Sequence, residues 1–254
     1  MSNGNTLYLE CRSGISGDMT VAALLDLGAT EENLRAELAK LPVDGYEIQV
    51  KKIVKSGLLV SDFDVILEHE VPAHTHEHSH THPHVHRSWA DIEKMLLKSD
   101  LKPRVKALSL QMFRTVAEAE AKVHGHPVDE VHFHEVGAVD SIVDIVGTAA
   151  CLDELNVDKV VVSELTEGCG HIRCQHGVLP VPVPAVLEIA AAHHLTFHQS
   201  EQEGEMVTPT GAAIAALSEG QIPAAYCVKK VGMGAGKREY QNTNILRAML
   251  IEEK

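Results

Sequence analysis

A chain of 254 residues accommodates one large domain or two small ones. Hydrophobic residues make up 44% and charged residues 23%, enough for a packed core and against global disorder. The 22 Lys and Arg against 36 Asp and Glu leave a formal charge of −14, which repels phosphate backbones and acidic membrane surfaces and argues against nucleic-acid and membrane partners.

Met1 to Thr6 is polar, with neither a basic n-region nor an apolar h-region, so a cytoplasmic protein without a secretory signal is expected. No apolar run approaches the ~18 residues that cross a bilayer. Thr6–Glu10 predicts a strand, followed by a Gly/Ser loop, Cys11–Gly17, and a helix over Asp18–Leu27 that stops at Gly28. A second short helix covers Glu31–Lys40. Tyr46–Lys55 and Leu58–Leu67 read as hairpin strands joined by Ser56-Gly57. From Glu68 to Arg87 the composition changes: histidine occupies every second position from His74 to His86, with Pro72 and Pro83 and almost nothing apolar, so 69–87 reads as a flexible, disordered loop. Ser88 caps a helix over Trp89–Lys98. A long helix over Lys102–Val123 buries Leu108, Met112, Val116 and Ala119, and another over Ala138–Leu155 buries Ile142, Ile145, Val146, Ala149 and Leu152. Lys159–Ser163 reads as a strand, Gly168–Pro184 as a loop, and Ala185–Ala192 and Thr210–Leu217 as helices. Tyr226–Val231 and Asn244–Ile251 read as strands around a glycine loop, Gly232–Gly236. Strands alternating with helices, with one antiparallel pair, predict an α/β fold: a layered mixed sheet with packed helices.

Five segments carry chemistry. Histidines His74, His76, His78, His80, His82, His84 and His86 form a metal-capturing run, since imidazole suits Ni, Cu and Zn. In an extended chain, alternate residues lie ~6.6–6.8 Å apart, too far to chelate one ion rigidly, so the run reads as a store or recruiting tether rather than a catalytic site. Val131–Asp144 packs His132, His134, Glu135, Asp140 and Asp144 into one stretch. Asp140 and Asp144 share a helix face and repel unless a cation lies between them. Glu120 and His124 are likewise one turn apart. The competing reading is a helix start decorated with Asp140 for its dipole and merely exposed histidines. Ser13-Gly14-Ile15-Ser16-Gly17 offers backbone N–H groups to a phosphate at a helix start, with Asp18 opposing the anion unless a cation bridges them; a simple glycine turn is nearly as good an account. Cys169, His171, Cys174 and His176 interleave as C-x-H-x2-C-x-H, which fits a soft-metal contact or an ordinary loop better than a closed zinc site. The five cysteines, an odd number without an export signal, predict free thiols. Lys237 and Arg238 after the glycine run match no P-loop but offer charge to a substrate phosphate.

Taken together, SGISGDMTVAALLDL (13–27), the His-rich run, AEAKVHGHPVDEVHFHEVGAVDSIVDI (119–145), HGVLPVPVPA (176–185), EMVTPTGAA (205–213) and GMGAGKRE (232–239) resemble the nickel-insertion proteins of nickel-pincer nucleotide biosynthesis, the LarC family, over nearly the whole chain. The resemblance implies a cyclometallase that inserts nickel into pyridinium-3,5-bisthiocarboxylic acid mononucleotide, making the cofactor of lactate racemase at the expense of CTP with Mg or Mn. It also implies that 1–254 is the N-terminal domain and that a CTP-associated C-terminal domain lies beyond it. His74 to His86 would collect nickel. His132, His134, Glu135, Asp140 and Asp144 would hold it, with Glu135, Asp140 and Asp18 as catalytic carboxylates. Ser13, Gly14, Ser16, Gly17, Lys237 and Arg238 would bind the mononucleotide. Expected partners are the precursor, the C-terminal domain, lactate racemase apoprotein and further copies of the chain. The competing expectations are a nickel storage or delivery protein without chemistry and, ranked last, a metal-dependent hydrolase using Asp140 and Asp144.

Overall fold

The computed structural model describes residues 4–67, 87–133, 136 and 138–254. The elements in chain order are β1 (Asn5–Glu10), α1 (Gly17–Leu27), α2 (Glu31–Leu38), β2 (Tyr46–Lys55), β3 (Leu58–Leu67), α3 (Trp89–Lys98), α4 (Pro103–His124), α5 (Val139–Glu154), β4 (Val157–Val162), β5 (Leu165–Cys169), β6 (His171–Cys174), β7 (Gly177–Pro180), α6 (Pro184–His193), β8 (Phe197–Glu203), α7 (Pro209–Ala215), β9 (Tyr226–Ala235) and β10 (Ile245–Glu253).

Local chemistry sets most boundaries. Ser88 and Asp91 form a reciprocal capping box at α3, Asp91 N donating to Ser88 Oγ at 3.1 Å and Ser88 N to Asp91 Oδ2 at 3.0 Å. Pro103 opens α4 and Gly125, at φ +67°, closes it. The β2–β3 hairpin turns at Ser56 and Gly57, both at positive φ, the geometry that matches strand twist in a two-residue loop. The apolar stripes expected on α4 and α5 are buried, except that Leu108 is half-exposed.

The main sheet has the order β2-β3-β9-β10-β1-β4 and is mixed: β1 runs parallel to β4 and antiparallel to β10, and β9 meets β3 in parallel. Helix α1 lies on β3, β9 and β10, and α5 packs behind it together with α2 and α4. Leu7 and Leu9 of β1 face this helical layer, whereas Tyr8 faces away, onto Val161 and Ile251. The parallel β1–β4 pair points Cys11 to Ser16 and the start of α1 out of one end of the sheet, where strand ends meet helix starts. Strand-to-helix junctions of this kind are where α/β folds place ligands.

Three segments depart from the sequence reading. Gly232–Gly236 is not a loop: β9 runs through Ala235, and a Cβ on Gly232 or Gly234 would lie 2.2 Å from Ala23 O or 2.0 Å from Met19 O. These glycines let α1 sit directly on the strand. Gly168–Pro184 is not a loop either; it contains the end of β5 and the β6–β7 hairpin, paired from His171–Pro180 to Cys174–Gly177. Strand β8 was not expected and runs parallel to β5. The histidine run lies outside the described residues. Among those described, no helix is long and apolar enough to cross a membrane.

Candidate functional site

The Gly/Ser loop before α1 is held from behind by the segment at 206–211. Ile15 N donates to Met206 O at 2.9 Å, and Thr208 N returns a bond to Ile15 O at 3.1 Å. Gly14, at φ +87°, passes so close that a Cβ there would lie 2.1 Å from Met206 O; a Cβ on Gly211 would meet Ile15 O at 2.1 Å. The N–H of Gly14 is engaged by Cys11 O at 3.1 Å. Gly14 and Ile15 therefore shape the loop, and the donors facing a ligand are left to the first turn of α1.

Glu167, fully buried in the middle of β5, fixes that brace. Its Oε1 accepts from Met206 N at 2.6 Å, Gly168 N at 2.8 Å and Val207 N at 3.2 Å. Burial pushes the carboxyl above its ordinary range, while these three donors and Arg238 pull it down. Glu167→Ala strands three N–H groups and is expected to lower the unfolding free energy by roughly 3 kcal/mol. Glu167→Gln keeps the Oε1 acceptor and should retain most of that stability. Urea denaturation of both variants separates the acceptor from the charge.

In front of the loop, three remote segments converge. Ser16 Oγ hydrogen-bonds Asp18 Oδ1 in the first turn of α1. Gly17 brings α1 against α5 so closely that a Cβ would lie 2.6 Å from Asp144. Lys237, just past β9, has its Nζ 4.0 Å from Asp18 Oδ2 and hydrogen-bonds Asp64 of β3. Asp144 Oδ1 is shielded from solvent and has no hydrogen-bond partner among the described residues. Burial pushes the Asp144 carboxyl well above the ordinary carboxylate range. Asp18 and Asp140 push the same way, against Lys237 and the Asp18 N–H. Desolvation alone would lower the Lys237 pKa, but Asp64, Asp18 and Asp144 raise it on balance, so it stays a cation. Four carboxylates around one ammonium make this end of the sheet acidic, with Asp140 on its exposed side.

Of the residues singled out in the sequence, Ser16, Gly17, Asp18, Asp140, Asp144 and Lys237 thus belong to one neighbourhood. Ser13 and Gly14 form its loop. Arg238 turns elsewhere: its Nη1 donates to Glu205 O at 2.7 Å, and Nη2 lies 3.6 Å from Glu205 Oε2. His132 is exposed on a short extended stretch that pairs with Ser88, the N-cap of α3. Val131 and Phe133 on either side point into the core. His134 and Glu135, like His74 to His86, lie outside the described residues. Among the described residues, no three His, Cys, Asp or Glu side chains are gathered to hold a metal ion. Asp64 and Glu167 carried no sequence signal, since neither stands in a motif.

The chain matches the family model described as nickel insertion protein over residues 7–254. It is 52% identical over 256 residues to the pyridinium-3,5-bisthiocarboxylic acid mononucleotide nickel insertion protein of Alkaliphilus metalliredigens, covering 98% of this chain and 61% of that protein. Proteins of the same description from Acetivibrio thermocellus and Geobacillus kaustophilus are 48% and 46% identical, over 96% and 97% of this chain and 60% of each relative. The chain therefore spans about three-fifths of the length of these curated relatives. No solved structure matches it.

Proposed function

This chain belongs to the nickel insertion protein family, and from that membership we propose that it handles the metal and the mononucleotide in nickel insertion into pyridinium-3,5-bisthiocarboxylic acid mononucleotide. One observation above all supports this reading: Asp18, Asp144 and Lys237, from three remote segments, meet beside a braced glycine loop at a strand-to-helix junction. An acidic cluster with one lysine suits a dication and a positively charged pyridinium ring together, and Lys237 with the first turn of α1 suits the phosphate.

Making a nickel–carbon bond removes a proton from the ring carbon between the two thiocarboxyl groups, whose sulfurs also take the metal. A carboxylate whose pKa is raised by burial accepts a proton at neutral pH better than an exposed one. Asp144 is therefore the proposed acceptor. Asp18 and Asp140 attract the cation, and Glu167 holds the loop in position. CTP turnover with Mg or Mn we assign to the segment by which the relatives exceed this chain. The metallated nucleotide would then pass to lactate racemase apoprotein.

The test combines this chain with the C-terminal portion of the Alkaliphilus metalliredigens relative, CTP, MgCl2, NiCl2 and the precursor. Mass spectrometry should detect product in which nickel has replaced hydrogen. Nickel retained by the protein without metallated product, while the full-length relative converts the same precursor, would instead leave a storage or delivery protein.

A further inference from the structure

A second cluster lies outside the Asp18–Asp144 neighbourhood. It joins two motifs 52 residues apart in sequence, the end of α4 and the β6–β7 turn. The His124 and His176 rings lie 4.9 Å apart between centroids, tilted by 31°. Glu120 Oε2, one helical turn before His124, lies 3.2 Å from His124 Nε2. The two rings stand at a groove of about 220 Å3 whose walls include Ile172 and Leu179, with Cys174 on the same lining. Pro209 also lines the groove, and it follows Thr208, whose N–H holds Ile15 O of the glycine loop. Thr208 and Pro209 thus touch the glycine loop on one side and this groove on the other.

Rings at this separation can reach one ion together, since imidazole nitrogens bind divalent metals at about 2.0–2.1 Å. Glu120 supplies the carboxylate that commonly orients a metal-binding histidine and raises its basicity. We propose that His124 and His176 form an open two-imidazole site for Ni2+, oriented by Glu120. Among the described residues no third side chain closes the shell, which leaves room for sulfur donors entering along the groove. An incomplete protein shell suits a cargo that must leave, since a closed set of four ligands would retain it. The choice of nickel among divalent metals rests on the function proposed above; the pairing of the rings does not.

The test is a titration of the chain with NiCl2 alone, in a background where the histidines at 74, 76, 78, 80, 82, 84 and 86 are all replaced by serine. That background should retain one Ni2+ per chain by equilibrium dialysis, with imidazole scattering in its X-ray absorption spectrum. His124→Asn and His176→Asn should each weaken binding roughly a hundredfold and Glu120→Gln roughly tenfold, with unchanged circular dichroism melts. A background chain that binds no Ni2+ overturns the proposal, as does one whose affinity shifts less than about threefold on either histidine substitution. The titration contains no precursor and no CTP, so its failure would leave the insertion assay standing, and failed insertion would leave this site standing.

Discussion

Gly234→Ala is expected to destabilise the chain by about 3 kcal/mol, the upper part of the range for overpacking a tight contact. A Cβ there would lie 2.0 Å from Met19 O and 2.6 Å from Ala23 N, both backbone atoms of α1, which cannot rotate away. The helix must lift off β9 as a unit. In a protein of this size, that cost corresponds to a fall of roughly 6–12 °C in Tm. The consequence reaches the site, because α1 begins with Gly17 and Asp18, and displacing it opens the contact with Asp144. Gly57→Ala is the control: unlike Gly234 it sits at positive φ, and it meets nothing within 4 Å, at the tip of the β2–β3 turn. It should cost about 1 kcal/mol and leave insertion intact. Calorimetry on the two variants decides between glycines that pack a helix and glycines that cradle a nucleotide; the latter would lose ligand affinity at unchanged Tm.

That contrast shows where sequence reading stops. A glycine doublet is written the same way whether the chain needs a turn or a close approach; only the helix lying on β9 distinguishes them. The hairpin at Ser56-Gly57, the capping box at Ser88 and the stripes of α4 and α5 are legible because their causes are local: turn geometry, a side chain three residues on, a 3.6-residue period. Strands β5 and β8 were not, because Thr166, Glu167, His198 and Gln199 give them no apolar alternation, and their pairing is decided by the brace they support. The Asp140/Asp144 pair was legible for the local reason that residues four apart share a helix face. Its partners were not: Asp18 lies more than a hundred residues upstream, and Lys237 gains its meaning from Asp64 on another strand. The same limit separated His124 from His176. Each stood in a recognisable motif, yet nothing in either motif says that the two rings face one another. His132 takes its exposure from the two-residue period of an extended segment, with Val131 and Phe133 turned into the core on either side.

Asp144→Asn should abolish most insertion while making the chain more stable. As proton acceptor, Asp144 is worth ~10²–10⁴-fold in rate, the range for a positioned general base, and an amide of the same shape cannot take the proton. The stability effect has the opposite sign. The folded-state pKa of Asp144 is raised above that of the unfolded chain, so between the two the folded state binds more protons and stability falls as pH rises. The penalty is absent below the ordinary aspartate pKa of ~3.9, grows as pH climbs through the raised value, and is fully present above it. Asparagine removes the charge and keeps an oxygen to accept from the Asp18 N–H. With chelator present, the variant should therefore melt above the parent at pH 7, and the two curves should converge towards pH 4. A variant that melts lower at pH 7 would mean that the ionised carboxylate stabilises the fold through Lys237, and Asp144 would then be a structural ion-pair member. A gain in stability coupled to loss of turnover is what a charge retained for chemistry produces, since packing alone would have replaced it with a neutral side chain.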